Sequence, residues 1–242
     1  MSEIFDGIKI WTMTLDTIPE ALWLQLFAIL DPAERERSQR FVFERHRRQY
    51  MAAHALTRVV LTATADGAMA PADWRFETGI HGKPRIAGAK GPYFNLSHCE
   101  GAVACAVSHE TEVGVDVEFL DSQAPIKIAE THFANGERVW LWQQAEERRS
   151  IGFFRLWTLK EAFIKATGQG LSQRPEDFAF AFEPLQVKFA DPALGDAATW
   201  RFEQQLIGSQ RHIVAAAWQE GALRLRAEWE SVHSDTLLWQ VI

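Results

Sequence analysis

The sequence predicts an α+β fold made of a pseudo-twofold pair of similar subdomains, each a long helix packed on a small antiparallel sheet. Within the 242 residues, a long helical segment precedes a group of short strand-like segments twice. There is also a faint internal repeat: PADWRFE from Pro71 resembles PEDFAFA from Pro175, and GAVACAV from Gly101 resembles HIVAAAW from His212. Two such halves would enclose a groove, which is the natural place for a ligand.

The helices of the N-terminal half are predicted from start signals and apolar periodicity. A short helix is expected over residues 19–30, and Asp31-Pro32 combines an N-cap with a first-turn proline that begins another helix. Residues 44–65 form one long predicted helix, which Asp66-Gly67 ends. Short apolar runs between turn residues then predict strands at residues 74–77, 93–97, 102–108 and 112–118.

The C-terminal half repeats this order of elements. Helices are predicted over residues 135–147 and 153–167. Strands are predicted at residues 178–182, 185–190, 200–206, 212–218 and 222–229. We expect an N-terminal subdomain over residues 1–110 and a C-terminal subdomain over residues 111–242, with the site in the groove between them.

Composition limits the classes of protein to which the chain can belong. Its apolar content of 47% and charged content of 24% are those of a globular protein. No apolar run approaches the ~20 residues that a membrane span needs, and the N-terminus lacks the basic-then-apolar order of a secretory signal. A disulfide between Cys99 and Cys105 would need a sharp local turn, so we expect reduced thiols and a cytoplasmic protein.

Charge argues against general nucleic-acid binding, because the net charge is −7. Positive charge is nevertheless concentrated in one segment, residues 34–48, which holds six arginines: Arg35, Arg37, Arg40, Arg45, Arg47 and Arg48. Interleaved glutamates favour a solvated helix surface, whereas an acidic protein with such a segment also fits a polyanionic ligand. Both interpretations stay open on this evidence.

The predicted helix at residues 153–167 carries Glu161 and Lys165 one turn apart on one face. An ordinary glutamate–lysine pair of this spacing contributes ~0.3–0.5 kcal/mol. Here Trp157 and Ile164 flank the pair, so it borders the apolar face, where charges are costly unless something compensates them. A metal ion and a phosphate would compensate them, the carboxylate binding Mg²⁺ and the ammonium meeting phosphate oxygens.

A second acidic pair lies in the predicted strand VGVDVE. Asp116 and Glu118 project to the same side, because side chains alternate along a strand. Adjacent carboxylates repel unless they are protonated or bind a metal, and oxygen ligands suit Mg²⁺. A solvated strand edge would carry the same pattern. Glu137 is either a further carboxylate of this site or a first-turn acid that the helix dipole favours.

Two further segments contain possible anion ligands. In HGKP, Gly82 lets the backbone approach a ligand and Lys83 could meet a phosphate; in FNLSH, Ser97 and His98 follow a strand and could hydrogen-bond an anion. Taken singly, each is more often a turn residue. The sequence shows no Ser-His-Asp order, zinc spacing or dinucleotide fingerprint.

In this order, the segments resemble the Sfp-type 4′-phosphopantetheinyl transferases. The matching motifs are Gly82-Lys83-Pro84, Asn95-Leu96-Ser97-His98, Gly114-Val115-Asp116-Val117-Glu118 and a Trp-x-x-Lys-Glu-Ala-x-x-Lys run from Trp157 to Lys165. RFVF at residues 40–43 also resembles the family's N-terminal region. The resemblance covers roughly residues 31–220, and Cys99 stands where a small hydroxyl residue is frequent.

The resemblance implies the family's pseudo-dimeric fold and its reaction. Phosphopantetheine would move from coenzyme A to a serine of an apo acyl or peptidyl carrier protein, with release of adenosine 3′,5′-bisphosphate. Asp116, Glu118 and Glu161 would hold Mg²⁺ on the coenzyme A pyrophosphate. Glu161 would also take the serine proton, and Lys165 would steady the transferring phosphoryl group. The contacts to coenzyme A would come from Arg37, Arg48, Gly82, Lys83, Pro84, Ser97 and His98.

Two other functions use some of the same residues. A non-catalytic relative would bind carrier protein or coenzyme A without needing the carboxylates and Lys165. A metal-dependent phosphodiesterase would release phosphopantetheine into water. The pathway of the carrier stays open, because fatty-acid, polyketide and nonribosomal-peptide carriers are all acidic and helical. The internal duplication predicts a monomer. The net charge and the lack of a long apolar run predict no nucleic-acid or membrane partner.

Overall fold

The computed structural model describes residues 7–65, 69–88, 92–222 and 224–233. The helices are α1 (Glu20–Ala28), α2 (Pro32–Gln39), α3 (Glu44–Thr64), α4 (Ala129–His132), α5 (Asn135–Gln143) and α6 (Glu146–Thr167). The first six strands are β1 (Gly7–Thr14), β2 (Phe76–Thr78), β3 (Pro84–Ile86), β4 (Tyr93–Cys99), β5 (Ala102–Ser108) and β6 (Val113–Phe119). The others are β7 (Phe178–Ala181), β8 (Gln186–Phe189), β9 (Trp200–Ile207), β10 (His212–Gln219) and β11 (Arg226–Ser231).

The predicted α+β architecture is confirmed. Helix α3 packs on β4 and β5, where Leu56 and Val59 meet Val103 and Val107 in one buried cluster. Helix α6 packs on β6 and β10 through a second cluster around Phe163. Each long helix is followed by a two-stranded hairpin, β2–β3 or β7–β8, and then by two paired strands, β4 and β5 or β9 and β10. The sequence repeat therefore corresponds to a repeated order of elements.

The two sheets face each other across a third apolar layer. Their strand orders are β11-β1-β5-β4 and β6-β10-β9. Side chains of one face of each sheet fill the layer, among them Ile8, Ile10, Ala104, Val115 and Val214. The helices α3 and α6 thus cover the outer faces, and the buried apolar surface of all three layers stabilises the arrangement.

The sheets differ in one respect from the prediction of small antiparallel sheets. Strand β1 was missed in the sequence, and it pairs in parallel with β11, from the other end of the chain. The first sheet is therefore mixed. The subdomain division between residues 110 and 111 stays a prediction, and β11 lies in the sheet of the N-terminal half.

The prediction of one helix over residues 135–147 is wrong. Helix α5 ends at Gln143, and α6 begins at Glu146, seven residues before the predicted start. The backbone of Gln144 and Ala145 is extended, with ψ 145° for both residues. This corner lets α5 pack back on α6, where a Cβ built on Gly152 would lie 3.1 Å from Leu141 Cδ1.

The predicted start of α2 is confirmed in detail. Asp31 accepts a hydrogen bond from the Glu34 backbone N–H, and Glu34 accepts one from the Asp31 N–H, which together form a capping box. Arg58, whose side chain is fully buried in α3, donates to Asp31 Oδ2 and to Glu34 Oε2, the oxygen that also accepts from the Asp31 N–H. Although burial opposes it, hydrogen bonds from His54 and Arg58 lower the pKa of Glu34 to about 2. The start of α2 is thereby tied to α3.

The predicted end of the first long helix and the expected lack of a membrane span can be compared with the structure only in part. The predicted helix stop at Asp66-Gly67 lies outside the described residues, and α3 ends at Thr64. None of the helices within the described ranges is long and apolar enough to cross a membrane.

Candidate active site

The floor of the candidate site is an ion pair between β6 and α6. Asp116 is buried on β6, and the Nζ atom of Lys165 lies 2.7 Å from Asp116 Oδ1. Lys165 also donates a hydrogen bond to the Val115 carbonyl at 3.2 Å. The sequence places these residues 49 positions apart, so only the packing of α6 on β6 brings them together.

Gly114 makes this close packing possible. A Cβ at this position would lie 2.0 Å from the Ala162 carbonyl oxygen and 2.4 Å from the Ala166 nitrogen. Both distances are far inside van der Waals contact, and both atoms belong to the α6 backbone. The glycine that begins the Gly-x-Asp-x-Glu motif therefore sets the distance between the helix and the strand.

Glu118 and Glu161 complete an acidic cluster around the ion pair. Burial, together with the negative charge of Asp116, raises the pKa of Glu118 to about 7, and Glu161 contributes to the same effect. Burial and Asp116 likewise raise the pKa of Glu161, while Lys165 opposes the shift. The structure thus brings Asp116, Glu118, Glu161 and Lys165 close enough to interact electrostatically.

The donor set of this cluster fits a magnesium ion. It consists of carboxylate oxygens, the ligands that Mg²⁺ prefers, and Asp116 Oδ2 is buried without a hydrogen-bond partner among the residues described. A cation bound there would also relieve the repulsion that raises the pKa of Glu118. Within the described part of the chain, no three histidine, cysteine, aspartate or glutamate side chains are already arranged around a metal position.

A cavity of about 580 Å³ lies directly above Glu161 and Lys165. Gly82, Lys83, Pro84 and Trp157 are among the residues that line it. The lining therefore includes residues of the β2–β3 hairpin and of α6. The prediction of a site in a groove between two subdomains stays a prediction. Gly82 has φ +90°, a backbone conformation that favours glycine, at the turn that forms the rim.

Lys83 reaches into a set of protein acceptors. Its ammonium donates to Glu112 at 2.5 Å, to the Val113 carbonyl at 2.9 Å and to the Ala166 carbonyl at 3.2 Å. An ammonium has three N–H donors, so these acceptors can occupy all of them. Lys83 thus fastens the β2–β3 hairpin to β6 and α6, and a phosphate contact would require it to leave one of these partners.

The predicted arginine ligands are engaged in different ways. Arg48 pairs with Glu20 and Glu44 at 2.6 and 3.0 Å and stacks over the ring of Trp23. The Arg37 guanidinium lies 5.5 Å from the ring centroid of Tyr50.

His98 is exposed to solvent at the end of β4. Partial desolvation, with the positive charges of His54 and Lys165, lowers its pKa. The His54 ring stacks on Tyr50 with centroids 4.1 Å apart and bonds Glu34 at 2.9 Å. Aromatic and basic groups of α3 therefore extend from Lys165 and His98 toward the arginine-rich segment, a feature that sequence reasoning did not assign to the site.

Glu137 does not join the acidic cluster. Its carboxylate accepts hydrogen bonds from the Ala134 and Phe180 backbone N–H groups and pairs with Lys160 at 2.8 Å. Lys160 and Glu137 are both 1% exposed. Of the two interpretations of Glu137, the first-turn helix acid is the one that the structure shows.

Lys160 is a buried structural residue that sequence reasoning did not assign. Besides Glu137, its ammonium binds the Pro175 and Phe178 carbonyls, both at 2.7 Å. Its position directly after Leu159 and one turn before Phe163, two apolar residues of the helix, was the available signal.

Comparison with known proteins places the chain in a family. A profile described as the 4′-phosphopantetheinyl transferase superfamily matches residues 112–217, and one described as 4′-phosphopantetheinyl transferase, N-terminal, matches residues 17–111. The 4′-phosphopantetheinyl transferase HetI of Nostoc sp. is 32% identical over 185 residues, which cover 75% of this chain and 76% of that protein. Sfp of Bacillus subtilis is 28% identical over 64% of this chain and 67% of its own length.

Holo-[acyl-carrier-protein] synthase of Thermotoga maritima, a solved structure, matches with a TM-score of 0.37 and 24% identity over 46% of this chain and 63% of that one. The sequence relatives define an enzyme class, the transferases of the phosphopantetheine group. The chain belongs to the 4′-phosphopantetheinyl transferase family.

Proposed function

We propose that this transferase moves 4′-phosphopantetheine from coenzyme A to a serine of an apo acyl or peptidyl carrier protein, in a magnesium-dependent reaction. The serine oxygen bonds to the phosphorus that carries pantetheine. The bond from this phosphorus to the bridging oxygen of the pyrophosphate breaks, and adenosine 3′,5′-bisphosphate leaves with that oxygen. The proton of the serine hydroxyl passes to a base of the protein.

One observation carries the proposal. The paired Asp116 and Lys165 lie beside two carboxylates of raised pKa, and Glu161 and Lys165 line a cavity together with residues of the β2–β3 hairpin. Phosphoryl transfer needs positioned charge more than covalent chemistry from the protein. A site with clustered carboxylates and an ammonium at the floor of a cleft supplies that arrangement.

The side chains would divide the work as follows. Asp116, Glu118 and Glu161 would hold Mg²⁺, which when bound supplies positive charge beside the coenzyme A pyrophosphate. Glu161 would accept the serine proton. Lys165 donates to Asp116, Ser97 and the Val115 carbonyl, so it would exchange one of these partners for an oxygen of the transferring phosphoryl group. His98, which faces solvent at the end of β4, is the predicted contact for the nucleotide end.

The proposal is tested by intact-mass measurement on a panel of apo carrier proteins given coenzyme A and Mg²⁺. We expect a carrier to gain the mass of phosphopantetheine. Asp116→Ala and Glu161→Ala should lower the rate at least about 100-fold, because removing a residue that only orients a metal ligand already lowers activity by up to about 100-fold. Glu110→Ala is the matched control, because Glu110 is an exposed acid in the turn after β5.

Three results would contradict the proposal. Full activity of both site variants would remove the assigned roles. Coenzyme A binding without modification of any carrier would favour a non-catalytic relative. Release of phosphopantetheine when carrier is left out would favour a phosphodiesterase.

A further inference from the structure

The hydroxyl group of Ser97 forms hydrogen bonds with both members of the ion pair at the floor of the candidate active site. It donates a hydrogen bond to Asp116 Oδ1 at 2.9 Å and accepts one from Lys165 Nζ at 2.9 Å. A third, longer bond of 3.4 Å comes from the Val117 backbone N–H. Ser97 is only 7% exposed.

These contacts use the full bonding capacity of a serine. A hydroxyl has one O–H donor and two acceptor lone pairs, and all three are engaged within the protein. A phosphate oxygen would have to take the O–H from Asp116, leaving a buried carboxylate oxygen with fewer partners. The geometry therefore separates Ser97 from the coenzyme A contacts to which the sequence motif assigned it.

The same contacts explain why a hydroxyl is needed at this position. The terminal torsion of an aspartate is broad, and a lysine has four flexible side-chain bonds, so packing alone fixes neither group. Ser97 bonds to both, and the ion pair between Asp116 and Lys165 closes a three-membered hydrogen-bonded ring. Oδ1 of Asp116 is held inside this ring, which leaves Oδ2, without a partner among the described residues, as the oxygen available to a cation.

We propose that Ser97 is a positioning residue, whose hydroxyl orients Asp116 and Lys165 and so selects the Asp116 oxygen that binds the metal. The inference rests on the proposed function. Residues that orient metal ligands in this way typically change metal affinity or activity by roughly 10–100-fold when they are removed.

The neighbouring Asn95 supports a structural role for this part of β4. Strands β4 and β6 run side by side without a backbone ladder between the two described strands. Instead, side chains of β4 accept hydrogen bonds from the β6 backbone. Asn95 Oδ1 accepts from the Val115 N–H at 2.9 Å, and two residues further along each strand Ser97 Oγ accepts from the Val117 N–H. Asn95 and Ser97 thus join the two sheets directly beneath the site.

The test compares Ser97→Ala and Ser97→Thr in the full chain by two separate binding measurements. Binding of Mn²⁺ to the metal-free protein is followed by the electron paramagnetic resonance signal of free Mn²⁺. Coenzyme A binding is measured by calorimetry in EDTA. We expect Ser97→Ala to weaken Mn²⁺ binding about tenfold and to change the Kd for coenzyme A in EDTA less than about twofold. Ser97→Thr, which keeps the hydroxyl, should restore Mn²⁺ binding.

Opposite changes would overturn the inference. If Ser97→Ala weakens coenzyme A binding in EDTA and leaves Mn²⁺ binding unchanged, Ser97 is a nucleotide ligand. Should the alanine variant fail to fold, Ser97→Cys keeps most of the volume with only a weak donor and carries the same expectations.

The kinetics give an independent comparison. In the transfer reaction, the alanine variant should lower kcat and leave the KM for coenzyme A nearly unchanged, because the hydroxyl acts through Asp116 and Lys165. A raised KM with an unchanged kcat would contradict this. If the wild-type protein modifies no carrier, the proposed function fails, whereas the two binding measurements still decide the role of Ser97.

Discussion

The buried pair of Lys160 and Glu137 makes a quantitative prediction, because it separates folding from chemistry within one motif. Lys160 directly precedes Glu161, yet its ammonium is enclosed by Glu137 and by the carbonyls of Pro175 and Phe178. Lys160→Met would leave a buried carboxylate without its cation. Removing one partner of a buried ion pair costs about 3–5 kcal/mol in free energy of unfolding.

That cost is large enough to measure by thermal unfolding. For a chain of this size, 1 kcal/mol shifts the melting temperature by roughly 2–4 °C, so Lys160→Met should lower it by roughly 6–20 °C. Adding Glu137→Gln removes the unpaired charge and should recover part of the loss. Lys188→Met is the control, since Lys188 is exposed on β8, and it should shift the melting temperature very little.

The same variant decides whether Lys160 takes part in catalysis. Below its melting transition, folded Lys160→Met should keep most of its transfer activity, because its ammonium is directed to Glu137 and not to Asp116. A variant that melts within about 2 °C of wild type and loses activity would refute this assignment.

Two further predictions follow from contacts around the site. Gly114→Ala should lower both the melting temperature and the transfer rate, because the new Cβ would lie 2.0 Å from the Ala162 carbonyl and must displace α6, which carries Glu161; unchanged values of both would contradict the close packing. Stability to acid should depend on Glu34, whose pKa falls from 4.5 to about 2 on folding. A depressed pKa contributes stability above pH 4.5 that is lost as the pH falls toward 2, at most about 3 kcal/mol, so denaturant unfolding of Glu34→Gln should show a smaller loss over this interval.

Much of the architecture could be predicted from the sequence, because periodicity and start signals are local. Asp31-Pro32 begins α2 as expected, and β5 covers the predicted residues 102–108. The parallel pairing of β1 with β11 was not predicted, because no local sequence pattern indicates a contact between segments so far apart in the chain. The break between α5 and α6 was also not predicted, because the two linking residues, Gln144 and Ala145, are neither glycine nor proline. The turn depends instead on tertiary packing, with Leu141 close to Gly152.

The candidate site could likewise be predicted from the sequence only in part. The motifs identified Asp116, Glu118, Glu161 and Lys165, and the structure places them in one electrostatic cluster. A motif does not reveal which partner a side chain chooses. Lys83 fits a phosphate ligand by type, but its ammonium meets Glu112 and two backbone carbonyls. Ser97 and Lys160 likewise have partners that only three-dimensional packing determines.

The proposed metal position is tested most directly by anomalous scattering from crystals grown with Mn²⁺ and coenzyme A. We expect one strong peak bound by Asp116 Oδ2 and by the carboxylates of Glu118 and Glu161, next to the pyrophosphate in the cavity above Lys165. A peak at another position, or well-ordered coenzyme A in the cavity without a cation on these three carboxylates, would contradict the assignment.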